Sequence, residues 1–274
     1  MIAVIVPIYN TEKYLRETID SVICQTLSFA EHIRLILLDD ASTDGSFAIC
    51  EQYQKQYPKQ ILVKHYDTNQ GVSALRNEGV RIAGEMGDEL ITFLDSDDKL
   101  ADDAMEKAKM YFESHEDVSV AAIAVKYFGT RDGEQRLNWR FQEMDVVDIK
   151  KQYTFPHYYV GGVFLRKRVL NELHFDETMN FWEDALAINQ VIVSEGKYGL
   201  IQDTFYFYRK REDESSLVDT AWHKKERYTT LLSSGYGQLF AYSRKKHHRI
   251  IPYVQYMVAV SYTHLRAHET TLHL

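Results

Sequence analysis

Three short apolar runs early in the chain each end in a polar cluster and each lead into a segment with helical spacing. That alternation restricts the chain to few folds. Ile2-Ala3-Val4-Ile5-Val6 runs into Pro7-Ile8-Tyr9-Asn10, and Ile33-Arg34-Leu35-Ile36-Leu37-Leu38 into Asp39-Asp40-Ala41-Ser42-Thr43-Asp44-Gly45. Leu90-Ile91-Thr92-Phe93-Leu94 runs into Asp95-Ser96-Asp97-Asp98. Short apolar runs of β-formers read as buried strands. Between them, Leu15, Ile19, Val22 and Ile23 share one helical face, and Ile49, Cys50, Tyr53 and Tyr57 another, which Pro58 stops. Val72, Leu75, Gly79 and Ile82 suggest a third helix, and Met105, Ala108 and Phe112 a fourth. Ile61-Leu62-Val63 begins a further strand, and Val118–Val125 makes a fifth. Repeated β-α units imply an α/β fold with a Rossmann-like, mainly parallel twisted sheet flanked by helices.

The acids at the strand ends carry the chemistry. Three carboxylates among Asp95-Ser96-Asp97-Asp98 cannot all be buried ionised without a compensating cation. Ligands of open α/β sheets bind at the carboxyl ends of strands. Oxygen ligands with no nearby Cys or His favour Mg²⁺ or Mn²⁺ over Zn²⁺, with water and substrate phosphate completing the shell. An acidic loop capping a helix accounts for this stretch alone equally well. The second acidic strand end at Asp39-Asp40 tips the balance toward a site.

Other features narrow the function. A net charge of −8 argues against a general nucleic-acid binder. No apolar run approaches the roughly 20 residues of a membrane span, and the chain opens into a strand rather than a signal peptide. Cys24 and Cys50 fall on helix faces with apolar neighbours and are expected to be buried free thiols in a reducing cytoplasm. Asp184 begins the segment Glu183–Val193, where the helix dipole would favour its ionised form and make it available as a base. A plain helix-start charge explains it as well. Gly71 opens the third helix, where a backbone nest can face an anion and Arg76 can approach it. An ordinary turn glycine with a solvated arginine is the alternative. Gly161-Gly162-Val163-Phe164 reads as a close backbone approach near an acceptor. The run Arg244-Lys245-Lys246-His247-His248-Arg249 fits either anionic lipid or polymer, or a solvated helix end.

Five motifs in order resemble the inverting, GT-A-fold glycosyltransferases of family two, the group that makes bacterial polysaccharides and teichoic acids. Val4-Ile5-Val6-Pro7-Ile8-Tyr9-Asn10 resembles the opening strand and nucleotide loop. Leu38-Asp39-Asp40-Ala41-Ser42-Thr43-Asp44-Gly45 resembles the second motif, with Ala41 where Gly is commoner, and Asn69-Gln70-Gly71-Val72-Ser73-Ala74-Leu75-Arg76-Asn77 the third. Asp95-Ser96-Asp97 matches the DxD motif and Trp182-Glu183-Asp184 the later acidic pair. The resemblance implies a GT-A domain over 1–218, with a nucleotide-sugar half at 1–130 and an acceptor half at 131–218, then a helical extension at 219–260. It implies nucleotide binding by Pro7, Tyr9 (against the base), Asp40 (accepting from the base N–H edge), Arg76 and Asp95 (at the ribose or a metal-bound water). Asp97 would ligate Mn²⁺ or Mg²⁺ at the diphosphate, with Asp98 behind it. Asp184 would be the catalytic base, with Glu183 in support. Tyr206-Phe207-Tyr208-Arg209-Lys210-Arg211 leads to a polar loop ending Ser215-Ser216, which resembles a mobile loop over the donor, with Arg209 or Arg211 at the diphosphate. The expected donor is a UDP-sugar and the acceptor a glycan or polymer. The expected place is the cytoplasm, at the inner face of the plasma membrane, with peripheral membrane contact.

Two rival enzymes fit less well. A nucleotidyltransferase expects a Gly-rich, Arg-bearing phosphate loop near the N-terminus. A phosphatase with Asp95 as nucleophile and Asp97 as acid expects its DxD on the first strand followed by Thr or Val, whereas Lys99 follows here and the strand is fourth. A non-catalytic sugar-binding relic would be expected to lose the acids this chain keeps. Residues 261–274 are expected to be non-native read-through, because Val260-Ser261-Tyr262-Thr263-His264-Leu265 is what a common transposon sequencing adapter encodes in one frame. His264 and His268, despite helical spacing, are therefore not read as a metal site. A chain of this family is expected to continue beyond this point.

Overall fold

The computed structural model describes residues 1–211, 229 and 231–271. The polar loop ending at Ser215-Ser216 lies outside the described residues. The first half alternates as expected: β1 Ile2–Ile8, α1 Glu12–Ile23, α2 Phe29–His32, β2 Ile33–Asp39, α3 Ser46–Gln56, β3 Ile61–His65, α4 Val72–Met86 and β4 Leu90–Phe93. These strands pair in parallel in the order β3-β2-β1-β4. Every residue of β1 is buried because helices cover both faces. Ala3 and Ile5 point into one core with Leu75, Ile82 and Ala83 of α4. Val4 and Val6 point into the other with Leu15, Ile19 and Val22 of α1. A Cβ on Gly79 would stand 2.3 Å from Ile5 Cγ2, so only glycine lets α4 lie this close to β1.

The second half departs from simple alternation. It runs β5 Lys99–Leu100, α5 Ala104–Ser114, β6 Val120–Gly129, β7 Gly133–Glu134, α6 Arg140–Glu143, β8 Val146–Asp148, β9 Val163–Arg166, a 3₁₀ turn, α7 Glu183–Glu195 and β10 Lys197–Lys210. Strand β9 inserts antiparallel between β4 and β6, and β10 then pairs parallel to β6 and antiparallel to β5 and β8. The first four strands are wholly parallel, the β6–β10 pair is parallel again, and the antiparallel β5, β8 and β9 make the sheet as a whole mixed. Cys50 is buried as expected, but Cys24 is exposed, because α1 ends at Ile23 and leaves it beyond the packed face.

After a π-helical turn at Leu231–Tyr236, α8 (Gly237–His247) and α9 (Pro252–Thr271) complete the described chain. Leu231, Leu239, Tyr253, Val254 and Met257 share one core with Leu186, Ile188 and Ile192 of α7. Tyr253 Oη donates to Asn189 Oδ1 on α7 at 2.7 Å. Tyr236 Oη bonds to Ser261 Oγ at 2.7 Å, so the residue expected to begin a foreign tail is in contact with the fold. Among the described residues no helix is long and apolar enough to cross a membrane.

Candidate active site

Strand β1 has β2 on one side and β4 on the other, and such a reversal of strand order opens a crevice at the carboxyl ends. Ile5 O accepts Leu94 N–H at 3.0 Å, the last bond between β1 and the chain leaving β4. Pro7, two residues on, faces the same side and has no N–H to offer. A proline is tolerated in this central strand because β4 has already turned away into Asp95. Tyr9 follows, 51% exposed, with an open ring face. Asn10 takes φ 51° and Ala41 φ 59°, left-handed conformations held by Asn10 N–H to Ser42 Oγ at 3.0 Å and Thr43 N–H to Asn10 Oδ1 at 2.8 Å.

Asp40 directly follows β2. It is buried, and its two oxygens accept the N–H groups of Gln70 at 2.6 Å and Gly71 at 2.9 Å. Gly71, at φ 87°, turns these amides inward ahead of α4, where they need an acceptor. The anion that the nest faces is Asp40 itself.

Arg76 is neither solvated nor aimed at a phosphate. It is 5% exposed, and its Nη2 donates to Asp95 Oδ1 at 3.0 Å while Nη1 donates to Glu183 Oε1 at 3.2 Å. Burial works against its charge, yet Asp95, Glu183 and Asp184 outweigh burial and hold its pKa above the ordinary arginine value. One guanidinium thus joins the DxD turn to the later acidic pair.

The turn Asp95–Asp98 is gripped from several sides. Thr18 Oγ1 on α1 donates to Ser96 O at 3.0 Å and Asp98 O at 2.8 Å. Tyr206 Oη on β10 donates to Asp98 Oδ2 at 2.7 Å and accepts Asp95 N–H at 3.2 Å. Thr18 lies outside the motifs, although a threonine on the apolar face of α1 was a legible signal, and Tyr206 begins the basic stretch without a role having been read for it. Arg209 donates its amide to Asp98 Oδ1 at 2.7 Å and its Nε to Asp97 O at 2.6 Å, pairs with Glu17, and lies over the Phe128 ring at 4.3 Å. Its amide and Nε are engaged in the turn and its Nη2 on Glu17 of α1. Arg211 sits on Asp97 itself, with Nε at 2.7 Å and Nη2 at 2.6 Å from Oδ2. Burial raises the pKa of Asp97, Arg211 opposes that rise, and Asp95 adds to it. Asp98 is pushed up further by burial and by Asp97 and Asp95.

Among the described residues no three or more His, Cys, Asp or Glu side chains form a self-contained metal cage. Asp97 and Asp95 nevertheless suit Mg²⁺ or Mn²⁺, which need one or two carboxylates and take the rest from water and phosphate. The Arg211 guanidinium resting on Asp97 shows that this carboxylate draws a cation.

Asp184 is the second residue of α7 and accepts Ala185 N–H at 2.6 Å. Its ionised form is not secured by the helix dipole. Burial and then Glu183 raise its pKa to about 7, against the opposing pull of Arg76. Desolvation and a like charge outweigh the dipole here. A carboxylate poised near neutrality suits a general base. Gly161 makes a close approach to the Tyr206 ring, and Gly162 to Ile123 and the Tyr206 Cβ.

Residues 3–174 match the family model described as Glycosyl transferase family 2. The chain belongs to this family. Within it, the minor teichoic acid biosynthesis protein GgaA of Bacillus subtilis is 41% identical over 94% of this chain and 58% of its own length. GgaB of the same organism is 36% identical over 93% of this chain and 28% of its own length. The chain therefore spans little more than half of the first relative and under a third of the second. Residues 1–349 of S. aureus TarS in complex with UDP-GlcNAc superpose with a TM-score of 0.73 at 22% identity, over 90% of this chain and 67% of that one. The mannosyltransferase PcManGT of Pyrobaculum calidifontis, in complex with GDP-Man and Mn²⁺, gives 0.66 at 19% identity, over 96% and 70%. These family folds are of the GT-A type, with the curled central sheet and flanking helices described above.

Proposed function

We propose that this chain is a metal-dependent inverting glycosyltransferase that moves a sugar from a nucleotide-diphosphate sugar to a hydroxyl of a glycan or cell-envelope polymer. The Arg76 bridge carries this reading. One buried guanidinium separates two acidic centres in different surroundings, Asp95 on the donor side and Glu183 beside Asp184 on the acceptor side. Such pairs of environments mark separate roles for carboxylates. The donor half is 1–130 and the acceptor half 131–218, with the described helices after 231 supporting α7.

On the donor side, Tyr9 lies against the base at the end of β1, with Pro7 shaping the crevice. Asp40 fixes the Gln70–Gly71 edge of that crevice. Asp97 would hold Mn²⁺ or Mg²⁺, with Asp95 at the ribose or an ion-bound water; bound there, the ion supplies positive charge against the leaving diphosphate. Arg211 turns from Asp97 to the diphosphate, and Arg209 keeps the turn in place. On the acceptor side, Asp184 takes the hydroxyl proton as the oxygen attacks the anomeric carbon. The bond from that carbon to the diphosphate oxygen breaks, the diphosphate leaves with the electron pair, and configuration inverts. Burial first, and then Glu183 held by Arg76, keep the Asp184 pKa near neutrality.

The relatives' names, teichoic acid biosynthesis and poly(ribitol-phosphate) transfer among them, support a polymer acceptor, and the UDP-GlcNAc complex of TarS supports a UDP-sugar donor. Such an acceptor fits work in the cytoplasm at the inner face of the plasma membrane, with peripheral membrane contact and no nucleic-acid partner. A phosphatase reading requires Asp95 as a free nucleophile, and Arg76 holds it. A panel of UDP-, GDP- and CDP-sugars with a polyol-phosphate acceptor, scored by free nucleotide, tests the proposal. No release from any donor, with or without Mn²⁺, overturns it.

A further inference from the structure

The acidic turn rests on Tyr206, a tyrosine to which the sequence assigns no role of its own. Tyr206 is 2% exposed on β10, and its hydroxyl meets both flanks of Asp97. It accepts Asp95 N–H at 3.2 Å and donates to Asp98 Oδ2 at 2.7 Å. Asp98 Oδ1 is taken by the Arg209 amide at 2.7 Å, so this carboxylate is engaged behind the turn rather than at its mouth. Asp97 thus stands on a turn in which Asp95, two residues before it, and Asp98, next after it, both bond to one oxygen atom.

The tyrosine ring also has a seat built for it. A Cβ on Gly161 would lie 2.7 Å from Tyr206 Cζ and 3.0 Å from its Oη. Gly162, at φ +71°, is a glycine on other grounds: its backbone is left-handed, and a Cβ there would lie 2.8 Å from Ile123 Cγ1 and 3.0 Å from Tyr206 Cβ. Gly161 bridges to Phe93, the last residue of β4 before the turn. Gly161 therefore meets this ring on one side, and the turn meets its hydroxyl on another. Packing alone needs only that ring. The hydroxyl, with one donor and one acceptor bond into the turn, serves its shape.

We propose that Tyr206 is a positioning residue that sets the DxD turn for the metal–diphosphate pair, and that Gly161 is a glycine because it seats the Tyr206 ring. This rests on the glycosyltransferase reading, which takes Asp97 as the carboxylate that meets the cation. Positioning of this kind acts on metal-assisted binding and leaves base stacking on Tyr9 alone.

Titration calorimetry of UDP, with Mn²⁺ and with EDTA, distinguishes the two. Tyr206→Phe keeps the ring and loses the hydroxyl. It is expected to weaken Mn²⁺-assisted UDP binding by about 10–100-fold, the usual cost of losing a partner behind a metal ligand, with UDP affinity in EDTA unchanged. Gly161→Ala keeps the hydroxyl but displaces the ring, and is expected to do the same. The double variant is expected to bind within about twofold of the weaker single variant, since both changes break one contact. The proposal is overturned if Tyr206→Phe binds Mn²⁺ and UDP within twofold of wild type, or loses metal-free UDP binding equally. It is also overturned if the two single effects multiply, or if Tyr206→Phe does not fold, which makes the residue part of the scaffold only. A wild-type chain without metal-enhanced UDP binding removes the glycosyltransferase reading and this inference with it.

Discussion

Asp184→Asn pulls chemistry and stability in opposite directions. In the folded chain, burial and Glu183 raise Asp184 from 3.8 to about 7, against Arg76. A rise of about three pH units, at ~1.36 kcal/mol each, puts a ceiling of ~4 kcal/mol on what the ionised group costs the fold. A raised acid pKa means that the folded chain holds this proton more tightly than the unfolded one. The associated stability is whole below the unfolded value of 3.8, declines as pH climbs, and is gone above about 7. Asparagine has no charge to bury, so the variant keeps at pH 8 what the wild type has lost. With half the ceiling realised, ~2 kcal/mol, its melting temperature at pH 8 should exceed that of wild type by about 4 °C. The gap should close toward pH 4. Turnover should fall by roughly 10²–10⁴-fold with nucleotide affinity nearly unchanged, and wild-type turnover should itself decline below about pH 7. Thermal melts across pH, beside donor turnover, read both effects. The reasoning fails if the variant melts at or below wild type at pH 8, transfers sugar at near wild-type rate, or if Glu183→Gln is the inactive one instead.

Asp97→Ala should abolish the metal-enhanced part of UDP binding in calorimetry; equal affinity with EDTA and with Mn²⁺ in the wild type would contradict the role of Asp97. Arg211→Ala removes the cation resting on Asp97, so Mn²⁺ alone should bind several-fold more tightly while turnover drops for want of a diphosphate contact; unchanged Mn²⁺ affinity would argue against the exchange of partners. Tyr253→Phe leaves Asn189 Oδ1 without its partner in the core and should cost about 1–3 kcal/mol in denaturant unfolding; a variant as stable as wild type would show that this link to α7 carries nothing.

The early strands and helices were legible because their patterns are local: strands covered on both faces are apolar throughout, and the helices between them repeat at helical spacing. The acids were legible for the same reason, as polar residues at the ends of such strands. Partners were not. Arg76 meets Asp95 nineteen residues on and Glu183 more than a hundred on, and nothing in its neighbours foretells either. Asp40 turned inward because Gly71 at φ 87° presents two amides to it, a backbone event without a side-chain signature. The proton affinity of Asp184 depends on how completely the site excludes water, which spacing does not encode. Strand β9 was masked by its short length and by the glycines before it, so the antiparallel insertion and the mixed half of the sheet emerged only in three dimensions.

The shared core of α7, α8 and α9 bears on how sequences of this kind can be recombined. A chimera joined near residue 218 would look natural from the motifs, all of which lie before that point. It would also separate the helix that carries Asp184 from the residues packed behind it, Leu239, Tyr253, Val254 and Met257. An exchange that keeps Asp184 in register has to carry α8 and α9 along with α7, so the smallest inheritable unit of this candidate site extends past its last recognisable motif.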